Sequence, residues 1–198
     1  MNTSRKTSEN RAIFQTILDV FGDAGERCTT QAYWDEPREH WIDIVTCPNS
    51  PVEGVRSHAT IALSDFSIGK KVGNIPLGVE IVGACYDRYP DFAGILSSCA
   101  FNIIIEEAAC FPGAVYTGMI EPYYPESLMK HILFVPSFGW RKEFQTLDFP
   151  TKKAAWLMAV PISEEEFQFA REKGVEALET LFEEKRIDVY DLERPSIF

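Results

Sequence analysis

Residues 156–198, WLMAVPISEEEFQFAREKGVEALETLFEEKRIDVYDLERPSIF, carry the reading that decides the fold. Residues 156–160 form a short apolar run with β-prone Trp and Val, and Pro161 is expected to stop it, so the run reads as a buried strand. Ser163 stands three residues before Glu166, the spacing at which a hydroxyl and a carboxylate each satisfy an orphan backbone N–H at a helix start. A helix therefore begins there. Phe167 and Ala170 share one face of it, Gly174 offers a stop, and Val175, Leu178, Leu181 and Phe182 recur at helical spacing in a second helix. Residues 187–190 read as a returning strand, and Arg194-Pro195 ends regular structure. Strand, helix, helix and strand in so short a stretch need a sheet already present for the two strands to join.

That sheet is sought upstream. Residues 11–21 place Ile13, Phe14, Ile17, Leu18 and Phe21 on one helical face, with Thr7 and Ser8 as caps and Gly22 as the stop. Residues 22–39 are polar and turn-rich and read as a connection. Residues 41–46 (WIDIVT), 58–64 (HATIALS) and 77–84 (LGVEIVGA) are three strands in succession with short polar links, the pattern of an antiparallel meander. Phe92, Ile95, Leu96, Cys99 and Ile103 mark a long helix to about residue 107 that begins near Asp91 and crosses the sheet. Residues 131–135 (HILFV) are a further strand, and residues 137–153 have no clean period and read as loop. The reading is an α/β fold of the α+β type, with a largely antiparallel mixed central sheet flanked by helices. It forms a single domain over residues 1–198, with an N-terminal helix and connection over 1–40 and the core over 41–198. The early and late strands could still form two lobes.

The chain has 198 residues, 45% of them apolar, with 14 Phe, 7 Tyr and 4 Trp, enough for a sizeable core. Its net charge of −11 disfavours direct nucleic-acid or anionic-membrane binding, both of which need clustered cations. Residues 164–194 hold eleven acidic and five basic side chains, so over half of the negative excess lies at this end, where it would steer a basic protein partner. The opening MNTSRKTSENR lacks an apolar export segment, and the longest apolar run, residues 154–162, is far short of the roughly 18 residues of a membrane span. A cytoplasmic protein is expected. Its five cysteines, Cys28, Cys47, Cys85, Cys99 and Cys110, are odd in number and widely spaced, and read as free thiols in a reducing compartment.

Catalytic signals are sparse. His40, His58 and His131 show no metal-ligand spacing, and no metal or cofactor is expected. Cys47 or Cys85 could meet His58 or His131 as a nucleophile pair, against the plainer reading of buried thiols. Residues 69–78 (GKKVGNIPLG) lead into a strand, not the helix that a phosphate-binding loop requires. The candidate partner-binding residues are the acids Glu164, Glu165, Glu183 and Glu184, with Tyr123 and Tyr124 of the proline-bracketed turn EPYYP.

The segment AWLMAVPISEEEFQFAREKGVEALETLFEE followed by IDVYDLERPS resembles the suppressor-of-fused domain family. Residues 159–163, Phe169, Ala170, Gly174, Ala177, Leu178, Asp191, Arg194, Pro195 and Ser196 carry the likeness. ATIALSDFSIG resembles the family's GLSD segment, with Ala62 where glycine is common, and PLGVEIVGA resembles the strand after it. Within the family, NRAIFQTILDVFG, EIVGAC and MKHILFVPSF are similar to a bacterial antitoxin group, the YqcF group. The resemblance implies an immunity protein, not an enzyme, that binds the C-terminal domain of a cognate toxin, typically a basic nuclease, and blocks it. An adaptor or sequestering module that binds a peptide of a regulatory protein is the alternative, since eukaryotic members are implied to hold a transcription factor. A cysteine-dependent hydrolase is the remote one. The motif has no catalytic residues, and DLERPS is expected to act as a structural clasp, with Arg194 pairing a carboxylate.

Overall fold

Alternation along the central strands sorts their side chains into two cores, one on each face of a sheet. The computed structural model describes residues 7–22 and 27–198; residues 1–6 of the polar opening and 23–26 of the expected connection lie outside it. In β2 (Trp41–Pro48), Ile42 and Ile44 enter one core while Val45 and Cys47 enter the other. The same division holds in β5 (Ile75–Tyr86), with Val79 and Ile81 opposed to Val82, and in β9 (Lys153–Ser163), with Leu157 and Ala159 opposed to Trp156, Met158 and Val160. The first core is covered by α2 (Phe92–Glu106), and the second by α1 (Ser8–Phe21), α3 (Glu164–Lys173) and α4 (Val175–Lys185).

Nine strands of the described residues form one sheet. With β1 (Thr29–Trp34), β3 (Val55–Ile61), β6 (Val115–Tyr116) and β7 (Met129–Pro136), its order is β1-β2-β3-β5-β9-β7-β6. The short β4 (Lys70–Val72) pairs with β5, and β8 (Leu147–Asp148) with β9. Every pairing is antiparallel except β5 with β9, which runs parallel from Leu77 against Lys153 to Val82 against Met158. That pair joins the early meander to the later strands. The mixed, largely antiparallel sheet with flanking helices matches the expected class.

Local chemistry sets the helix ends. Thr7 caps α1 by accepting from the Asn10 N–H at 3.0 Å, and Gly22, in the left-handed region, ends it. Helix α2 is apolar nearly all round because it lies under the sheet and the 108–128 segment, with Phe92, Ile95, Leu96, Cys99 and Ala100 fully buried. Gly94 has no room for a larger residue, since a Cβ there would sit 2.7 Å from the Tyr123 ring.

The structure corrects several expectations. The connection over residues 22–39 contains β1, whose side chains are mostly exposed, so no apolar alternation marked it. β1 pairs Thr29 with Thr46 and thereby sets Cys28 opposite Cys47, and these two form a disulfide; only Cys85, Cys99 and Cys110 are free, and all three are buried. Five free thiols were therefore the wrong reading of residues whose partnering depends on an unrecognised strand. The strand expected over 58–64 ends at Ile61, and residues 63–65 form a 3-10 turn. Pro161 does not stop β9, which runs on to Ser163. It lies past Met158, the last residue in register with β5, where β9 pairs with β7 and a missing N–H is tolerated. Residues 187–190 are not a strand. Ile187, Val189 and Tyr190 alternate like one, but they pack as irregular chain against the second core.

Candidate partner-binding surface

The β9–α3 junction is built from the box at Ser163. Its Oγ accepts from the Glu166 N–H at 3.1 Å, and the Ser163 N–H donates to Glu166 Oε2 at 3.0 Å. Glu166 is completely buried and does more than cap. Arg194 meets it as a fork, Nη1 to Oε1 at 2.6 Å and Nη2 to Oε2 at 2.7 Å, and also donates to the Pro161 carbonyl at 3.0 Å. The Ile197 N–H adds a bond to Oε1 at 3.2 Å, and the Ser196 and Ser163 hydroxyls lie 2.9 Å apart. Further back, Asp191 accepts from Arg88 at 2.6 Å and Tyr89 at 2.5 Å, while the Leu192 carbonyl accepts from Ser127 at 2.5 Å. The DLERPS segment is thus a clasp that ties the tail to β9, α3 and the β5–α2 turn, as the pairing expected of Arg194 requires.

With Glu166 turned inward, the other acids of the quarter remain outside. Glu165, Glu183 and Glu184 are exposed. Glu164 accepts from Gln168 at 2.5 Å and from His131 Nε2 at 2.8 Å, and these bonds hold its carboxyl below the usual range. The Gly118 N–H donates to His131 Nδ1 at 3.0 Å, so Nε2 carries the proton that Glu164 accepts. On α4, Glu176, Glu179 and Glu183 follow helical spacing; partial burial, then Glu176 and Glu183, raise the Glu179 carboxyl.

Tyr123 and Tyr124 lie elsewhere. The Tyr123 hydroxyl donates to the Gly94 carbonyl and sits 2.9 Å from Ser98 Oγ, while the Tyr124 hydroxyl accepts from the Asp91 N–H at 2.9 Å. Both rings pack on the first core, across the sheet from α3 and α4. The six expected residues therefore do not share one surface: the four acids lie on the α3–α4 side, and the two tyrosines are half-buried over α2.

The nucleophile pair can be judged directly. Cys47 is in the disulfide. Cys85 Sγ does approach His58 Nε2, at 4.0 Å, but burial pushes the thiol up to about 12 and the imidazole down to about 3. Both groups are held neutral, which is opposite to the thiolate and imidazolium that cysteine catalysis uses. Among the described residues no group of three or more His, Cys, Asp or Glu side chains is placed to hold a metal ion.

Sequence reasoning missed one charged site. Glu80, in the middle of apolar β5, is completely buried. It accepts from Thr60 Oγ1 at 2.6 Å, the Ser64 N–H at 3.0 Å and the Leu63 N–H at 3.3 Å. Ala62, at φ 74°, turns the chain so that these two N–H groups converge, which explains a glycine preference there. Lys152, also buried, donates to Ser64 Oγ at 3.0 Å and pairs with Asp65. The only signal was a lone acid in the run LGVEIVGA.

Comparison with known proteins agrees with this architecture. The family model described as Suppressor of fused protein (SUFU) matches residues 38–195. Immunity protein YqcF of Bacillus subtilis (strain 168) is 42% identical over 191 residues, which cover 96% of this chain and 98% of the relative. Among solved structures, a putative SUFU homologue from Neisseria gonorrhoeae FA 1090 superposes with a TM-score of 0.65 at 17% identity, covering 95% of this chain and 96% of the other. A Sufu–Fu complex gives 0.68 at 11% identity, covering 96% and 92%. Drosophila Suppressor of Fused gives 0.64 at 11% identity, covering 99% of this chain and 52% of that larger one. A family match over most of the length, the same fold in its structures and the buried clasp built by DLERPS lead to one assignment: the chain belongs to the suppressor of fused family.

Proposed function

We propose that this protein is an immunity protein that works by binding, holding its cognate toxin in a stoichiometric complex in the cytoplasm. The observation that carries the reading is the 42% identity to an immunity protein along nearly the whole of both chains. The chemistry of the surface supports it. Exposed acids are concentrated on α3 and α4, while the charged groups of the interior are committed to folding. A toxin that cleaves nucleic acid needs a basic cleft to hold phosphates, and a preformed acidic surface competes for that cleft and speeds encounter. An interface of about 800 Å² on each partner is sufficient. Glu164, Glu165, Glu183 and Glu184 are the contact acids in this reading.

Co-expression with the toxin domain encoded beside this chain tests the proposal. Growth is rescued and the two proteins co-purify if it holds; death with no complex sinks it. The association rate falls with added salt because the attraction is between exposed charges. A rate that ignores salt removes the electrostatic part and leaves binding intact.

A further inference from the structure

Among the described residues, an apolar recess is left open beside α4. Val135 and Pro136 at the end of β7, Val160 of β9 and Phe182 of α4 meet Ile187 and Val189 around a cavity of about 500 Å³. That size falls within the roughly 300–1,000 Å³ of ordinary binding pockets. The recess exists because residues 187–190 depart from α4 as irregular chain and do not close over β7 as a strand. Phe138, at its edge, is 49% exposed although it is a large aromatic residue. Glu179 and Glu183 also line the cavity, beside Arg186.

We infer that this recess is the seat of the toxin's anchor, an aromatic or branched aliphatic side chain next to a lysine or arginine that meets Glu179 and Glu183. The inference rests on the immunity reading and adds to it the place and chemistry of contact. Charge complementarity selects the occupant. Glu176, Glu179 and Glu183 repel one another along α4, and an incoming cation relieves that repulsion at a site where partial burial limits screening by water. Phe138 and the aliphatic walls supply the desolvated centre that interface hot spots require, and the acids supply its rim. Neither Tyr123 nor Tyr124 contributes, since their hydroxyls are engaged across the sheet.

The test uses the full chain and the toxin domain encoded beside it, the latter carried as a catalytically dead variant for affinity and as the active form for growth. Phe138→Ser and the double variant Glu179→Lys/Glu183→Lys are compared with Glu53→Lys, an exposed reversal in the β2–β3 turn. Thermal melts verify that each variant keeps its fold. Both recess variants are expected to raise Kd at least tenfold and to lower growth rescue, with Glu53→Lys within twofold of the parent. If the parent protects cells and the recess variants bind as tightly as it does, the recess assignment is overturned and the immunity reading stands. If the parent itself neither binds nor protects, both fall. A change of oligomeric state in Phe138→Ser without a change in toxin affinity assigns the recess to a second copy and also overturns the proposal.

Discussion

Glu80 and Glu166 are both completely buried, yet they live in opposite electrostatic circumstances. Glu166 faces the Arg194 fork and two backbone N–H groups, so its charge is matched where it sits. Glu80 has only neutral donors in direct contact, and its nearest cation, Lys152, stands one hydrogen bond away behind Ser64. Burial accordingly pushes Glu80 up to about 7, against the pull of Thr60, Ser64 and Lys152. One carboxylate is a fixed fastener; the other is a group that protonation near neutrality can switch.

The most damaging way to probe this contrast is Arg194→Ala. It leaves Glu166 buried without its cation, and we expect a loss of about 3–5 kcal/mol in urea unfolding. Replacing both partners, Glu166→Gln with Arg194→Met, restores most of that loss, because Gln keeps the capping role and no orphan charge remains. A double variant no more stable than Arg194→Ala would show that the clasp depends on the ion pair itself.

The next effect is pH dependence. Glu80 titrates higher when folded than its ordinary 4.5, so its folded site holds a proton that the unfolded chain has released. Its contribution is full below about 4.5 and is lost as pH rises through about 7, a change on the order of 3 kcal/mol. His58 works the other way: lowered from 6.5 to about 3, it favours the folded state above 6.5 and withdraws that support as pH falls. The two oppose each other between about 4.5 and 6.5. Urea midpoints should therefore decline from pH 6.5 to 8 and fall again in acid. Glu80→Gln is expected to flatten the alkaline decline and, with the opposing group gone, to steepen the loss between about pH 6.5 and 4.5; if the alkaline decline persists unchanged, Glu80 is not its source.

The smallest effect is a gain. Ala62 holds the left-handed conformation that aims two N–H groups at Glu80, and Ala62→Gly relieves the steric cost. Stability should rise by about 1 kcal/mol by the same measurement. A loss would mean that the Ala62 methyl, which is buried, matters more through packing than through strain.

What the sequence disclosed follows the same division between local and distant chemistry. The Ser163 box, the Thr7 cap, both long helices and the meander were legible because neighbours in sequence create them. The Arg194 clasp was legible through family resemblance. β1 was hidden because an edge strand with both faces wet carries no apolar alternation, and the Cys28–Cys47 bond was hidden with it. Residues 187–190 misled for the converse reason: their apolar positions alternate, but they form no ladder, and the Tyr190 carbonyl meets the sheet at its end, accepting from the Tyr86 N–H of β5 at 3.1 Å. Of the expected contact residues, the four acids proved outward-facing, while the tyrosines proved to be pins for α2.

The parallel pairing at the centre of the sheet governs speed as well as shape. Leu77 must find Lys153 across everything that lies between them, so forming this pair is a long-range closure with a high entropic barrier. Until it happens, β5 and β7 each present an open edge to other chains. A freshly made molecule is therefore exposed to clumping for as long as β9 is unplaced, and substitutions along β9 should lower the yield of usable protein through slower folding as well as through lost core packing.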